Sequence, residues 1–296
     1  MSSLDEDLLP EPAPAPPSPR RNLLPAVLYG LTWITTTGAG AMLSGQNPLD
    51  FPGGFLKGLP FSFTLMSILT LHEAGHYLVA RWYKVPASWP YFIPAPTLIG
   101  TFGAIIRTPP SPTSSNVLFD IAAAGPVAGL VPAIIALVVG VHTSTVVGAL
   151  PPPGGGQLEL GESLLFKAVG VLFGPHNTHG ELLLSPVAFA GWMGLLITSL
   201  NLIPAGQLDG GHVFYAFFGK RIHRAIRPVI LSVLLILGWE TWHGWIVWAV
   251  LLFIMGAGHA PVTAYDEGLS GRRKFLGILL FIVECLIFVP SPLKGN

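Results

Sequence analysis

Polar residues are sparse along this chain, and the distances between them set its elements. Apolar runs as long as a bilayer-spanning helix, about 20 residues, cover 23–43, 59–82, 117–141 and 186–204. The run 227–259 is too long for one span and is interrupted by Glu240 and His243, so it reads as a tight hairpin of two short helices. A final short span covers 275–290. The pattern predicts an all-α polytopic membrane protein with about seven transmembrane helices.

The connections carry their own signals. Residues 1–21 are rich in proline and acids (Asp5, Glu6, Asp7, Glu11). Such a segment cannot bury a core and reads as a disordered tail. It is no signal peptide, since acids and prolines come first. One integral membrane domain follows over 22–291, then a short tail over 292–296. The loop 143–185 holds a proline-glycine run at 150–156 and one amphipathic stretch, 163–173, expected to be a helix lying on the surface. The loop 85–108 has prolines at 86, 90, 94 and 96, then a run 98–107 containing Gly100 and Gly103. Proline is confined to sheet edges, so the first half reads as extended edge backbone and the second as a short strand.

Composition narrows the class. Hydrophobic residues make up 51% and charged residues 10%, against roughly 25% charged in soluble domains. A soluble enzyme, a disordered protein and a nucleic-acid binder with a basic surface are excluded. Net charge is zero, so the total names no partner, but the placement is informative. With the N-terminus inside, every Arg and Lys except Lys57, Lys167 and Lys294 falls on the inner side, a strong positive-inside bias. Merging the hairpin into one span would put Arg272, Arg273 and Lys274 outside. The tryptophans at 239, 242, 245 and 248 suit an interfacial belt at the outer turn. The lone cysteine, Cys285, excludes an internal disulfide and a cysteine-based zinc site, and reads as packing.

The second span holds the chemistry. His72 and His76, at i and i+4, share one helical face and suit a single metal ion. Glu73 lies beside the first and could accept a proton from an attacking water. The plainer alternative is a helix with polar residues facing a bundle interior, but three ionisable groups within five residues are costly in a span. Zinc needs a third protein ligand. The best candidate is Asp209, where the fourth span breaks amid Pro204, Gly206, Gly210 and Gly211. Both spans run inward, so Asp209 arrives near the depth of His72. Its plainer alternative is a helix cap.

The pair His72-Glu73-x-x-His76 and Asn201-x-x-Pro204 followed by Leu208-Asp209-Gly210 resembles the site-2 protease family, zinc-dependent intramembrane proteases. The resemblance covers roughly residues 23 to 290 and is strongest at 71–76, 98–107, 121–130 and 201–213. It implies a three-helix catalytic core at about 59–218, and one Zn2+ held by His72, His76 and Asp209. It also implies Glu73 as catalytic base and a membrane-associated β-hairpin at about 85–108. Gly125-Pro126 matches the family's small-residue packing element. The short outer loop fits the branch without an inserted PDZ domain. Many members carry Asn-Pro-Asp-Gly, whereas Asn201, Pro204 and Asp209 are more widely spaced here.

The expected function is a zinc endopeptidase that cuts transmembrane protein substrates within or near their spans. Its surroundings are the lipid bilayer, a bacterial cell membrane with the N-terminus cytoplasmic. No nucleic-acid partner is expected, and a homo-oligomer is left open. An unwound substrate could add to an edge strand through backbone hydrogen bonds, making Gly100, Thr101, Gly103 and Ala104 substrate-binding candidates; the resemblance adds Asn201. A membrane metal-ion transporter is a rival, since His and Asp lining spans also mark ion paths, although the polar groups cluster on the inner side. A proteolytically silent scaffold is a second, and the intact Glu73 argues against it. Other residues read more plainly. His212 is taken as a neighbouring or inner-surface histidine, His176 and His179 as solvated, and His259 as a span-end ring. Asp120 is taken as a cap, and Glu284 as facing the bundle interior without an evident partner.

Overall fold

The structure, a computed structural model, describes residues 23–107, 114–148, 159–175, 181–255 and 268–294. The acidic, proline-rich tail, the 150–156 run, His176, His179 and His259 lie outside the described residues. The described elements, in order, are α1 (Leu24–Leu43), α2 (Gly53–Leu56), α3 (Leu59–Trp82), β1 (Tyr91–Pro94), β2 (Thr101–Ile105) and α4 (Ser115–His142). Then come β3 (Thr145–Val147), β4 (Glu159–Leu160), α5 (Leu164–Phe173), β5 (Glu181–Leu183) and α6 (Pro186–Leu202). α7 (Asp209–Glu240), α8 (Gly244–Met255), α9 (Gly271–Ile287) and β6 (Leu293–Lys294) complete the chain.

α4 is the hub, packed against α3, α6 and α7 and touching α5 and α9. Its composition explains why. Ala122, Ala123, Gly125, Gly129, Ala133, Ala136 and Gly140 are buried, and small residues let helix backbones approach closely. Val127, Val131, Ile135 and Val139, four apart and so on one face, are 51–58% exposed. A helix that buries its small residues and turns its branched aliphatic ones outward reverses the usual soluble arrangement. Lipid is the surrounding that favours it.

Specific contacts fix the helix directions. Tyr83, at the end of α3, bonds Asp120 near the start of α4, so these two run antiparallel. Ser185, before α6, donates to the Gly140 carbonyl at the end of α4 (2.8 Å), so α6 runs parallel to α3. α9 starts beside Asp120 through Arg273 and ends where β6 pairs with β4 from the 143–185 loop. The turn after α7 meets that same end, since Thr241 Oγ1 and Trp245 Nε1 both donate to the Pro290 carbonyl.

Two described helices, α4 and α7, are long and apolar enough to cross a membrane by length and composition. α5, α6 and α8 are shorter apolar helices. This is fewer than the seven expected. The threonines of α1 and the His72-Glu73-His76 group with Arg81 in α3 lower the apolar character of helices that have the length. α9 has only 17 residues.

Three further expectations are corrected. The 212–226 segment, expected as a connection between two spans, is helical on both sides of a kink: α7 is two helices that meet at Gly219, whose φ +76° and ψ 175° are non-helical. That glycine breaks the helix before Pro228, so the hairpin's first arm begins just after Gly219 and not at Arg227. Asp120 is no cap: the Ser114 hydroxyl caps α4 by accepting from Val117 N–H. Cys285 is exposed and not in packing.

The 85–108 loop forms an antiparallel hairpin, with Tyr91 opposite Ile105 and Phe92 opposite Ala104. β1 lies against α1. α5 begins after its Ser163 cap. The pairing of β3 with β5 was not foreseen.

Candidate metal centre

α3 places His72 and His76 one turn apart, and their Nε2 atoms lie 3.2 Å from each other. Asp209 comes from the break between α6 and α7. It is the first residue of α7, while the cap position is held by Leu208, so its carboxylate is not spent on capping. Asp209 Oδ2 lies 3.2 Å from His72 Nε2 and 3.3 Å from His76 Nε2. The break is compact: a Cβ on Gly210 would collide with the Leu202 carbonyl, and one on Gly211 would crowd those of Gly206 and Ala205. Glycine at both positions lets α7 start against the end of α6 and brings Asp209 under α3.

His76 Nδ1 lies 2.8 Å from the Ile121 carbonyl oxygen on α4. A carbonyl only accepts, so Nδ1 carries the proton and Nε2 keeps its lone pair for a ligand. His76 Nε2, His72 Nε2 and Asp209 Oδ2 are thus potential lone-pair donors packed edge to edge, an arrangement that needs a cation or a proton at its centre. These three are a group able to hold a metal ion. Their size suits zinc. Bonds of about 2.0–2.1 Å in a tetrahedral site separate neighbouring ligand atoms by roughly 3.3–3.4 Å, close to the observed triangle.

α4 shapes the slot for the rings. A Cβ at Gly125 would collide with the His76 imidazole at Nε2, Cδ2 and Cε1. A Cβ at Gly129 would stand 3.0 Å from His72 Cβ and 3.1 Å from its Nδ1. The sequence placed Gly125 only in helix packing; its service to His76 could not be found without knowing which α4 turn faces the histidines. Ile121 escaped notice because it acts through its backbone.

Glu73 is buried beside the triad, and its carboxylate makes no hydrogen bond among the described residues. It is therefore available to a ligand. Asn201, at the end of α6, brings Nδ2 to 3.4 Å from His72 Nε2, next to the triad and apart from the hairpin candidates. Gly100 and Thr101 have structural duties. The Gly100 carbonyl accepts from Thr35 Oγ1 of α1 (2.6 Å). The Thr101 hydroxyl donates to the Ile93 carbonyl (2.9 Å) and accepts from Gly103 N–H (3.0 Å). Gly103, at φ +91°, has open space where a Cβ would be, and Ala104 pairs with β1. His212 follows Asp209 by three residues within α7. Glu284 has a partner after all, since Ser199 Oγ on α6 donates to its Oε1 (3.0 Å).

Comparison with known proteins agrees with this geometry. The model for peptidase family M50 matches residues 60–239, which include all three members of the triad and Glu73. A protein named probable zinc metalloprotease EGY2, chloroplastic, from Arabidopsis thaliana is 32% identical over 247 residues, covering 79% of this chain and 42% of that protein. Probable zinc metalloprotease EGY1, chloroplastic, from the same plant is 32% identical over 237 residues, covering 76% and 42%. Probable zinc metalloprotease EGY3, chloroplastic, from Oryza sativa subsp. indica is 26% identical over 288 residues, covering 87% and 47%. The chain spans less than half the length of these relatives. No solved structure matches. With a family model over most of its length and its HExxH and Asp209 side chains drawn together, the chain belongs to peptidase family M50, the site-2 protease family.

Proposed function

We propose that this chain is a zinc-dependent intramembrane endopeptidase acting on peptide bonds in or near the spans of membrane-protein substrates. The observation that carries it is the convergence of His72, His76 and Asp209 with Glu73 at their side, inside a bundle whose central helix turns its aliphatic residues outward. His72 and His76 would hold zinc through Nε2 and Asp209 through Oδ2, and zinc bound there would supply a Lewis acid for the scissile carbonyl and the attacking water. The Ile121 carbonyl keeps His76 in the tautomer this requires. Glu73 accepts the proton of the attacking water and returns it to the amine nitrogen as the peptide C–N bond breaks. Asn201 offers its amide to the substrate backbone beside the ligands.

Substrate is held by strand addition. In a two-stranded sheet each strand has one unpaired edge, and β1 lies against α1, which points to the outer edge of β2. Phe102 and Ile105 on β2 are 72% and 54% exposed. Proline at an outward-facing N–H deletes a donor, and adjacent residues of a strand aim their N–H groups at opposite edges. Ala104→Pro and Ile105→Pro therefore test both edges. The outward one should lower cleavage about tenfold or more with zinc content and Tm near wild type. Normal cleavage by both folded variants would end the strand-addition reading. Thr101→Pro is unsuitable because it removes the hydroxyl that closes the hairpin.

The alternating helix directions and the distribution of Arg and Lys support seven crossings with a cytoplasmic N-terminus. In a background without Cys285, a membrane-impermeant thiol reagent should label Glu162→Cys from outside and leave Lys220→Cys untouched. External labelling at 220 would reverse the topology. The curated relatives are named as chloroplastic plant proteins and give no support to a bacterial cell membrane.

The reading is tested by reconstituting the chain in liposomes with a single-span peptide, following products by mass spectrometry and zinc flux in the same vesicles. Products without flux are expected. Flux without products would favour a metal-ion transporter, and neither, with zinc bound, a silent scaffold.

A further inference from the structure

Three charged or polar side chains meet where α3 ends, α4 begins and α9 begins. Arg273 Nε donates to Asp120 Oδ1 (2.8 Å) and Arg273 Nη2 to Asp120 Oδ2 (2.6 Å). Tyr83 OH donates to Asp120 Oδ2 and accepts from Arg273 Nη2 (3.2 Å). Arg273 Nη1 also donates to Ser270 Oγ (3.1 Å), and Ser270 N–H donates to Asn116 Oδ1 of α4 (3.1 Å). The fork of a guanidinium on both oxygens of one carboxylate fixes orientation as well as distance. Asp120 and Arg273 are partly buried, at 22% and 27% side-chain exposure, so solvent weakens the pair less than it does a fully exposed one.

The cluster sits one residue from a group the metal centre depends on. Asp120 precedes Ile121, whose carbonyl accepts from His76 Nδ1–H at 2.8 Å. On the other helix, Tyr83 follows His76 by seven residues, two turns on and on the same face. α3 and α4 therefore touch through two polar contacts that land on consecutive α4 residues. The hydrogen bond at Ile121 weakens steeply beyond about 3.2 Å, so a slide or rotation of α4 by 1 Å would free the His76 ring. Arg273 and Tyr83 tie the start of α4 to the start of α9 and the end of α3.

We infer that Arg273, Asp120 and Tyr83 are positioning residues for the metal centre: they hold the start of α4 against the end of α3 and so keep the Ile121 carbonyl on His76. This rests on the reading of His76 as a ligand. The clamp touches neither metal nor substrate, and its effect is carried through one backbone oxygen.

The test is the zinc dissociation constant of the purified full chain, read by chelator competition, together with Tm of the metal-free and zinc-loaded forms. Arg273→Gln should weaken zinc about tenfold or more, as losses behind a ligand histidine do. Arg273→Lys, with a charge but no fork, should fall between the two. Tyr83→Phe removes one hydroxyl and should weaken zinc measurably, by less than Arg273→Gln does; it decides the matter if Arg273→Gln does not fold. Arg227→Gln is the control. It frees a different helix end, where Arg227 Nη2 donates to the Phe253 carbonyl (2.9 Å), and should lower Tm without changing zinc affinity. Unchanged zinc affinity in Arg273→Gln and Tyr83→Phe, with Tm lowered equally in both forms, would overturn the inference. So would an equal loss in Arg227→Gln. Wild-type protein that binds no zinc would instead overturn the reading of the site itself.

Discussion

Glu73→Gln should abolish cleavage while the protein keeps its fold and its zinc. The side chains are nearly isosteric, but an amide cannot accept a proton from water at neutral pH. General-base catalysis is worth about 10²–10⁴ in rate, so the loss should lie in that range or above. Retention of zinc follows from the ligand set, since Glu73 is not among the three converging side chains. Retention of fold follows from its environment. The carboxylate makes no hydrogen bond among the described residues, so the amide breaks none. Turnover within a few-fold of wild type would remove Glu73 from the mechanism. Loss of zinc along with activity would make it a ligand, and the triad incomplete.

Gly125→Ala should disrupt the metal centre with a single methyl group. The added Cβ would fall on the His76 ring at three atoms, including the proposed ligand atom. A ring at that distance cannot give by a few tenths of an ångström. It must rotate away, which breaks both the bond to Ile121 and the alignment of Nε2. Zinc should bind about 100-fold more weakly or worse, at the upper end of what loss of ligand support costs. Overpacking should also destabilise the metal-free protein by about 1–3 kcal/mol. Gly129→Ala provides the comparison. There the new Cβ would be 3.0 Å from His72 Cβ, tight but adjustable, so about tenfold or less is expected. Equal zinc affinity in Gly125→Ala and wild type would show that His76 does not occupy this slot.

Much of this architecture was legible because local pattern and tertiary role coincide. The apolar run 59–82 matches α3 at both ends, since Pro60 starts the helix and polar residues follow Trp82. The spacing of His72 and His76 puts both on one face of any helix. Asp209 could be brought to them because arginines and lysines orient the spans, and an acid at a Gly- and Pro-rich break has few other uses. What stayed hidden depends on partners distant in sequence. Arg273 reads as a topology charge and Asp120 as a cap, and only packing joins them across 153 positions. Ser199 and Glu284 are linked in the same way across 85. The helices on either side of Gly219 within 212–226 were missed because Lys220, Arg221 and Arg224 look like a loop, although charged side chains at a helix end are compatible with helix.

One titration tests the central claim most directly. The metal-stripped chain, in vesicles with a single-span peptide, receives zinc in steps while bound metal and peptide products are measured together. The account predicts no cleavage without metal and a linear rise to a plateau at one zinc per chain. Asp209→Ala should need far more zinc, because two remaining ligands bind more weakly than three. Cleavage at the wild-type rate by the metal-free protein, or a full zinc site with the peptide intact, would contradict it.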